Sequence, residues 1–147
     1  MTDRPKRGVR ADYARFVRLT TRWADNDAYG HVNNVAYYAF IDTAVNQLLI
    51  EAGLLDVTGS DVIGVAVESG CRYHASAAYP DVIHAGVRVA RVGGSSIRYE
   101  VGLFRNDEDA ATAEGFFVHV MVARDTMRPV AVPGALRAFM ETLSSPA

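Results

Sequence analysis

One cysteine, Cys71, stands in 147 residues, so no disulfide can close within the chain and no thiolate zinc site can be built from it alone. That usage sets the expectation of a reducing, cytoplasmic compartment. Long hydrophobic runs are missing as well. No stretch approaches the roughly 18–20 apolar residues of a membrane helix, and the N-terminus lacks the apolar core of a signal peptide, so no membrane partner is expected. Neither sign of charge dominates. The 15 Lys and Arg against 17 Asp and Glu leave a formal charge of −2, which supplies no global pull on a nucleic-acid backbone. What is present is ordinary globular usage, 50% hydrophobic and 22% charged, enough for one domain with a real core.

Residues 1–12, with Arg4, Lys6, Arg7 and Arg10 against Asp3 and Asp12 and no apolar period, read as a mobile basic tail, and 13–147 as a single domain. From Val17 to Trp23 apolar Val17, Leu19 and Trp23 share one face, the pattern of a half-buried strand. Val35, Tyr38, Ile41, Val45, Leu48, Leu49 and Ala52 then recur at three- and four-residue steps, predicting a long buried helix with Asn33 or Asn34 as N-cap and Gly53 as its stop. Thereafter the period is two. Ile63–Val67, Ile83–Val89, Ile97–Leu103 and Phe116–Val122 alternate, separated by Tyr79-Pro80-Asp81, Gly93-Gly94 and Asn106–Asp109. A short C-terminal helix is predicted over Ala135–Leu143. Connections this short force antiparallel pairing, so the predicted class is α+β: a curled antiparallel sheet of about five strands wrapped around one long helix, in the order β-α-β-β-β-β.

The chemistry concentrates in Arg22-Trp23-Ala24-Asp25-Asn26-Asp27-Ala28-Tyr29-Gly30-His31-Val32-Asn33-Asn34, just ahead of the long helix. A carboxylate here lies beside unpaired backbone amides and the positive end of the helix dipole, an arrangement able to receive a developing oxyanion. On residue type alone Asp27 is equally a turn acid, Asp25 a turn former, and His31 a capping or supporting group. A calcium loop fails, because counting from Asp25 puts Tyr29 at position five and Ala36 at position twelve. Cys71 reads as a packed thiol, and His74, His84 and His119 show no metal spacing; no metal and no cofactor are expected.

The D-x-D-x-x-G-H-V run resembles the signature of hotdog-fold thioesterases of the 4-hydroxybenzoyl-CoA thioesterase type. Arg72-Tyr73, Tyr79-Pro80-Asp81, Gly94-Ser95-Ser96, Ala113-Glu114-Gly115 and Arg128-Pro129-Val130 extend the similarity over about residues 14–142. The resemblance implies the hotdog fold and hydrolysis of an acyl-CoA thioester. Asp27 takes the position of the catalytic carboxylate, as nucleophile or general base, and Asn34 the position whose backbone amide polarises the thioester carbonyl. His31 falls at the spacing of a D-x-N-x-H element in plant acyl-carrier-protein thioesterases, but Tyr29 replaces its Asn, leaving His31 an auxiliary role. A thioester asks for little beyond such a carboxylate and amide donors, because its thiolate leaves readily.

Gly30, Val32 and Tyr38 are the expected substrate contacts around this loop and helix, with Tyr37 and Phe40 close by. Ser95 and Ser96 are expected to contact substrate in a partner subunit. Arg88 and Arg91, and secondarily Arg124 and Arg128, are candidates for the coenzyme A phosphates. Unpaired sheet edges together with the resemblance imply a homodimer or homotetramer. Two other functions fit the same cleft: a non-catalytic acyl-CoA binding module, and a hotdog enoyl-CoA hydratase or dehydratase.

Overall fold

A computed structural model describes residues 6–144. The chain forms β1 (Arg15–Thr20), α1 (Asn34–Glu51), β2 (Val62–Tyr73), β3 (Val82–Val92), β4 (Ser96–Arg105), β5 (Ala113–Ala123) and α2 (Gly134–Thr142). The strands make one antiparallel sheet in the order β1-β3-β4-β5-β2, curled around α1. The predicted fold class is correct: this is the hotdog architecture.

The alternation decides which face meets the helix. Ile83, Ala85, Val87 and Val89 of β3 and Ile97, Tyr99, Val101 and Leu103 of β4 are buried with the apolar stripe of α1 in one core, but on β5 the core takes Phe117 and Met121, the opposite face from the predicted series of Phe116, Val118, Val120 and Val122. That stripe is Tyr37, Phe40, Ile41, Ala44, Val45, Leu48 and Leu49, an unbroken three- and four-residue series. It corrects the predicted stripe at its N-terminal end. Val35 is 69% exposed and Tyr38 only half-buried, because the helix begins at Asn34 and turns its first apolar residue outward. Asn33 is the N-cap, its Oδ1 accepting from Val35 N at 2.9 Å, and Gly53 at φ +72° follows the Ala52 C-cap as a left-handed stop. Among the described residues no helix is long and apolar enough to cross a membrane.

Two further expectations are overturned. Trp23 does not extend β1. The strand ends at Thr20, Thr21 is buried with its hydroxyl donating to Asp81 O at 2.6 Å, and Trp23 begins a 3-10 turn, packing edge-on to Tyr79. The N-terminal segment is not a free tail over residues 6–12. Arg7 Nε donates to Ala111 O, Ala111 N to Gly8 O, and Arg10 binds the carbonyls of Asn106 and Glu108, so the segment lies as a strap across the outer face of the sheet. The strap leads to Tyr13, which is buried against Phe104 and Ala111 in a second small core. Glycine makes the room: a Cβ at Gly102 would sit 2.5 Å from Tyr13 Cε2, and one at Gly86 2.8 Å from Tyr13 Cβ. Residues 1–5 of the expected tail lie outside the described residues.

Candidate active site

The acidic loop is a tight hairpin whose shape follows from its sequence. Asp27 N donates to His31 O at 2.8 Å and Gly30 N to Asp27 O at 3.1 Å, a turn opened by Asp and closed by Gly30, which takes φ +81°. Asp25 and Asp27 occupy different environments. Asp25 is buried and fully engaged, accepting from Arg22 N at 2.7 Å and from the Arg22 guanidinium at 2.9 and 3.2 Å. Its own carbonyl accepts from Asn33 N at 2.7 Å, which ties the 3-10 turn to the start of α1. Asp25 is structural. Asp27 is half-buried, and its Oδ1 accepts from Tyr29 N at 2.9 Å and, at 3.4 Å, from His31 N. Its second carboxylate oxygen has no partner among the described hydrogen bonds.

The backbone amides around the helix start are almost all committed. Val32 N donates to Ala77 O, Val35 N to the Asn33 side chain and Ala36 N to Asn33 O. Asn34 N, at the positive end of α1, has no partner among the described hydrogen bonds. Tyr73 was not anticipated at this place. Its hydroxyl donates to Asn34 O at 3.2 Å, and its ring meets Tyr37 edge-on at 5.2 Å. Partial burial first, then the adjacent Cys71 thiol, push the Tyr73 phenol up to about 12, so it stays a donor at neutral pH. Burial also raises the Cys71 thiol, which fits a packed, un-ionised side chain. The register shift between Ala66 and Glu68 breaks the period-two pattern ahead of Cys71 and Tyr73, so no apolar alternation in the sequence places Tyr73 beside the helix.

The other candidates scatter. Gly30, His31 and Asn34 are exposed, and Val32 is buried beneath them. Ser95 and Ser96 lie on the β3–β4 hairpin, where Ser95 O accepts from Met121 N and Ser96 O from Gly93 N. That hairpin is at the opposite end of the sheet from Asp27, about 30 Å away along an 11-residue strand, so one copy does not bring them together. Arg88 is already occupied, with Nε on Glu100 at 3.0 Å and a terminal nitrogen on Asp12 O, while Arg91 is exposed. Arg124 is removed from the phosphate candidates, since its guanidinium clamps the 57–60 turn through Ser60 O and Val57 O. Arg128 is exposed. Neither a cavity of about 380 Å³ between β1 and α1 nor one of about 450 Å³ on the outer face includes Asp27. Among the described residues no group of three His, Cys, Asp or Glu side chains is placed to hold a metal ion.

A curled antiparallel sheet on one long helix, with an acidic hairpin feeding an uncommitted amide at that helix's start, defines a hotdog-fold protein. Residues 21–140 match the family model described as the thioesterase-like superfamily, and the chain belongs to that family. The PA5185 protein from Pseudomonas aeruginosa strain PAO1 is 53% identical, over 97% of this chain and 99% of that one, with a TM-score of 0.93. BH1999 gentisyl-coenzyme A thioesterase shares the fold at 19% identity and TM-score 0.77, over 86% of this chain and 99% of its own. So does Slr0204, a 1,4-dihydroxy-2-naphthoyl-CoA thioesterase from Synechocystis, at 14% identity and TM-score 0.77, over 85% and 93% of the two chains. Comparison with curated proteins finds no match.

Proposed function

We propose that the protein hydrolyses an acyl-CoA thioester in the manner of the 4-hydroxybenzoyl-CoA thioesterase type. The observation that carries the reading is the pairing of two open valences: an Asp27 oxygen and the Asn34 N–H, each without a partner among the described hydrogen bonds at the start of α1. The thioester carbonyl oxygen accepts from Asn34 N–H, where the helix dipole favours the negative charge that grows as the carbonyl carbon becomes tetrahedral. Asp27 attacks that carbon to form a mixed anhydride that water then cleaves to the free acid, or it takes the proton from a water that attacks directly; on either route the thiolate of coenzyme A leaves. The bonds from Tyr29 N and His31 N hold one carboxylate oxygen so that the other faces the substrate. His31 lends its main chain to that task, and Tyr73 fixes the first helical turn through Asn34 O.

The acyl cavity is completed by a second copy. β2 is a twelve-residue edge strand, paired only to β5 and carrying exposed Val67 and Tyr73. Two such edges pairing antiparallel about a two-fold axis set the Val62 end of one copy beside the Tyr73 end of the other. The hairpin with Ser95 and Ser96 lies at the Val62 end, because Met121, whose N–H donates to Ser95 O, opposes Gly64. It therefore approaches the partner's Asp27 loop, where Gly30 and Tyr38 line the acyl group over the buried Val32 and Arg91 faces the coenzyme A phosphates.

The test is thiol release from aromatic, short-chain and long-chain acyl-CoAs by the wild type and Asp27→Asn. The amide keeps an oxygen for Tyr29 N and His31 N but removes the base, so turnover falls by a factor of about 10² to 10⁴ with the fold intact. Undiminished turnover in the variant would refute the assignment. Tight acyl-CoA binding without any hydrolysis would favour the binding module instead.

A further inference from the structure

We propose that the cavity on the outer face of the sheet, remote from the helix, binds a phosphate-bearing small molecule. The cavity measures about 450 Å³, within the range of small-ligand sites, and is lined by Lys6, Arg72, Arg88, Arg98, Glu100 and Glu114 among others. Four cations against two carboxylates leave an excess of two positive charges at this place on a chain whose formal charge is −2.

Both carboxylates are spoken for. Glu114 accepts from the Tyr13 hydroxyl at 3.2 Å and pairs with His74 Nε2 at 2.8 Å. Glu100 receives Arg88 Nε at 3.0 Å and Arg98 Nε at 3.3 Å, one on each oxygen. Binding each guanidinium through Nε leaves both terminal nitrogens of Arg98 without a described partner, while Arg88 gives one of its own to Asp12 O. Arg72 and Lys6 have no acidic partner among the described residues. Among the described residues, positive charge not met by carboxylates therefore lines the cavity.

The guanidiniums are also held in place. Arg98 stacks 4.0 Å from the centroid of Phe116, and Arg88 4.8 Å from that of Tyr13. Gly70 makes this possible, since a Cβ there would come within 2.6 Å of Phe116 Cε1 and push the ring that carries Arg98. Preorganised arginine forks with an exposed lysine beside them suit a tetrahedral oxyanion with several acceptors better than a single carboxylate. A cavity of this volume suits one small molecule, and Arg98 keeps 37% of its side chain exposed to meet it.

The test is calorimetric titration of the full chain with inorganic pyrophosphate at low ionic strength. One site per chain is expected, weakened at least tenfold by Arg72→Glu and by Arg98→Glu. Arg18→Glu makes the same charge change on β1, outside the cavity, and should alter affinity less than twofold. Thermal unfolding of each variant confirms that it is folded, and Arg72→Glu alters an exposed side chain with no described bond to lose. No binding by the wild type at about 10 mM pyrophosphate would overturn the proposal, and so would equal weakening by Arg18→Glu, which would mean bulk electrostatics alone. Displacement of pyrophosphate by coenzyme A would trace the phosphate to the nucleotide end of the proposed substrate; coexistence of the two would trace it to a separate metabolite. In either case the cavity holds phosphate.

Discussion

Asn33 separates what the start of α1 does for stability from what it does for chemistry. Its Oδ1 satisfies Val35 N, while its neighbour's N–H is the donor proposed for the thioester oxygen. Asn33→Ala deletes an exposed N-cap, a loss of about 1 kcal/mol. With an unfolding entropy near 2 cal/mol/K for each of 147 residues, roughly 0.3 kcal/mol/K in all, that is about 3 °C in Tm. Asn33→Asp keeps the capping oxygen and adds a charge that the helix dipole favours, so its Tm should hold or rise slightly. The same charge lies one residue from the nascent oxyanion. At about 5–6 Å and an effective dielectric constant of about 20 to 60, the repulsion is about 1 to 3 kcal/mol. That predicts a five- to hundredfold fall in kcat for Asn33→Asp, with a smaller fall for Asn33→Ala. Circular-dichroism melts and steady-state thiol release on one acyl-CoA measure both quantities. A stable Asn33→Asp enzyme with unchanged kcat would refute the placement of the oxyanion at Asn34.

Other consequences follow from burial and edges. Ile41 has no exposed surface beneath the sheet, so Ile41→Ala should cost about 2–5 kcal/mol in denaturant unfolding. Gly102→Ala forces a methyl against the Tyr13 ring and should cost about 1–3 kcal/mol, read from the urea midpoint. Val67→Lys places a charge on the exposed edge strand and should shift the protein towards monomer in sedimentation, with loss of turnover. Burial lowers the His119 pKa in the folded state, so unfolding takes up a proton in acid. Its stabilising contribution is complete above the ordinary histidine value of about 6.5 and is lost as pH falls towards the folded value. Melts at successive pH values should therefore show a smaller acid-side drop in Tm for His119→Phe than for the wild type.

The elements were legible wherever one face was buried and the other wet. β3 and β4 alternate because their inner residues pack under α1, and their predicted residues are the observed ones, extended at the ends. β2 was recognised only over its first half. Beyond the register shift between Ala66 and Glu68 it runs as an exposed edge, so nothing apolar marks its period, and Tyr73 went unplaced with it. The strap at residues 6–12 was missed for a similar reason. It is held by Arg7 and Arg10 reaching backbone carbonyls nearly a hundred residues away, and such bonds leave no trace in local hydrophobicity. Ser95 and Ser96 lie across the molecule from Asp27, and only the proposed dimer relates them to it, so nothing local in the chain links the two.

The two acids of the D-x-D pair show where sequence reasoning reached its limit and what resolves it. Two residues apart, both are turn formers by residue type, and only the resemblance singled out Asp27 for the chemistry and left Asp25 to the turn. The backbone divides them. The 3-10 turn at Trp23–Asp25 folds Asp25 back onto Arg22 three residues earlier, so burial costs the carboxylate little: a guanidinium and an amide meet it there. Asp27 falls at the first corner of the following turn, where its near oxygen closes onto amides of the loop and its far oxygen is left over. A buried, saturated carboxylate cannot approach a substrate without breaking three bonds, whereas a half-exposed one with a spare oxygen can do so with none broken. Exchange of the pair exposes the difference. Asp25→Asn should lower Tm by several degrees through loss of the Arg22 pair, whereas Asp27→Asn should leave Tm within about 3 °C and abolish most turnover. Equal effects of the two on turnover, at equal stability, would mean that the division of labour read from their hydrogen bonds is wrong.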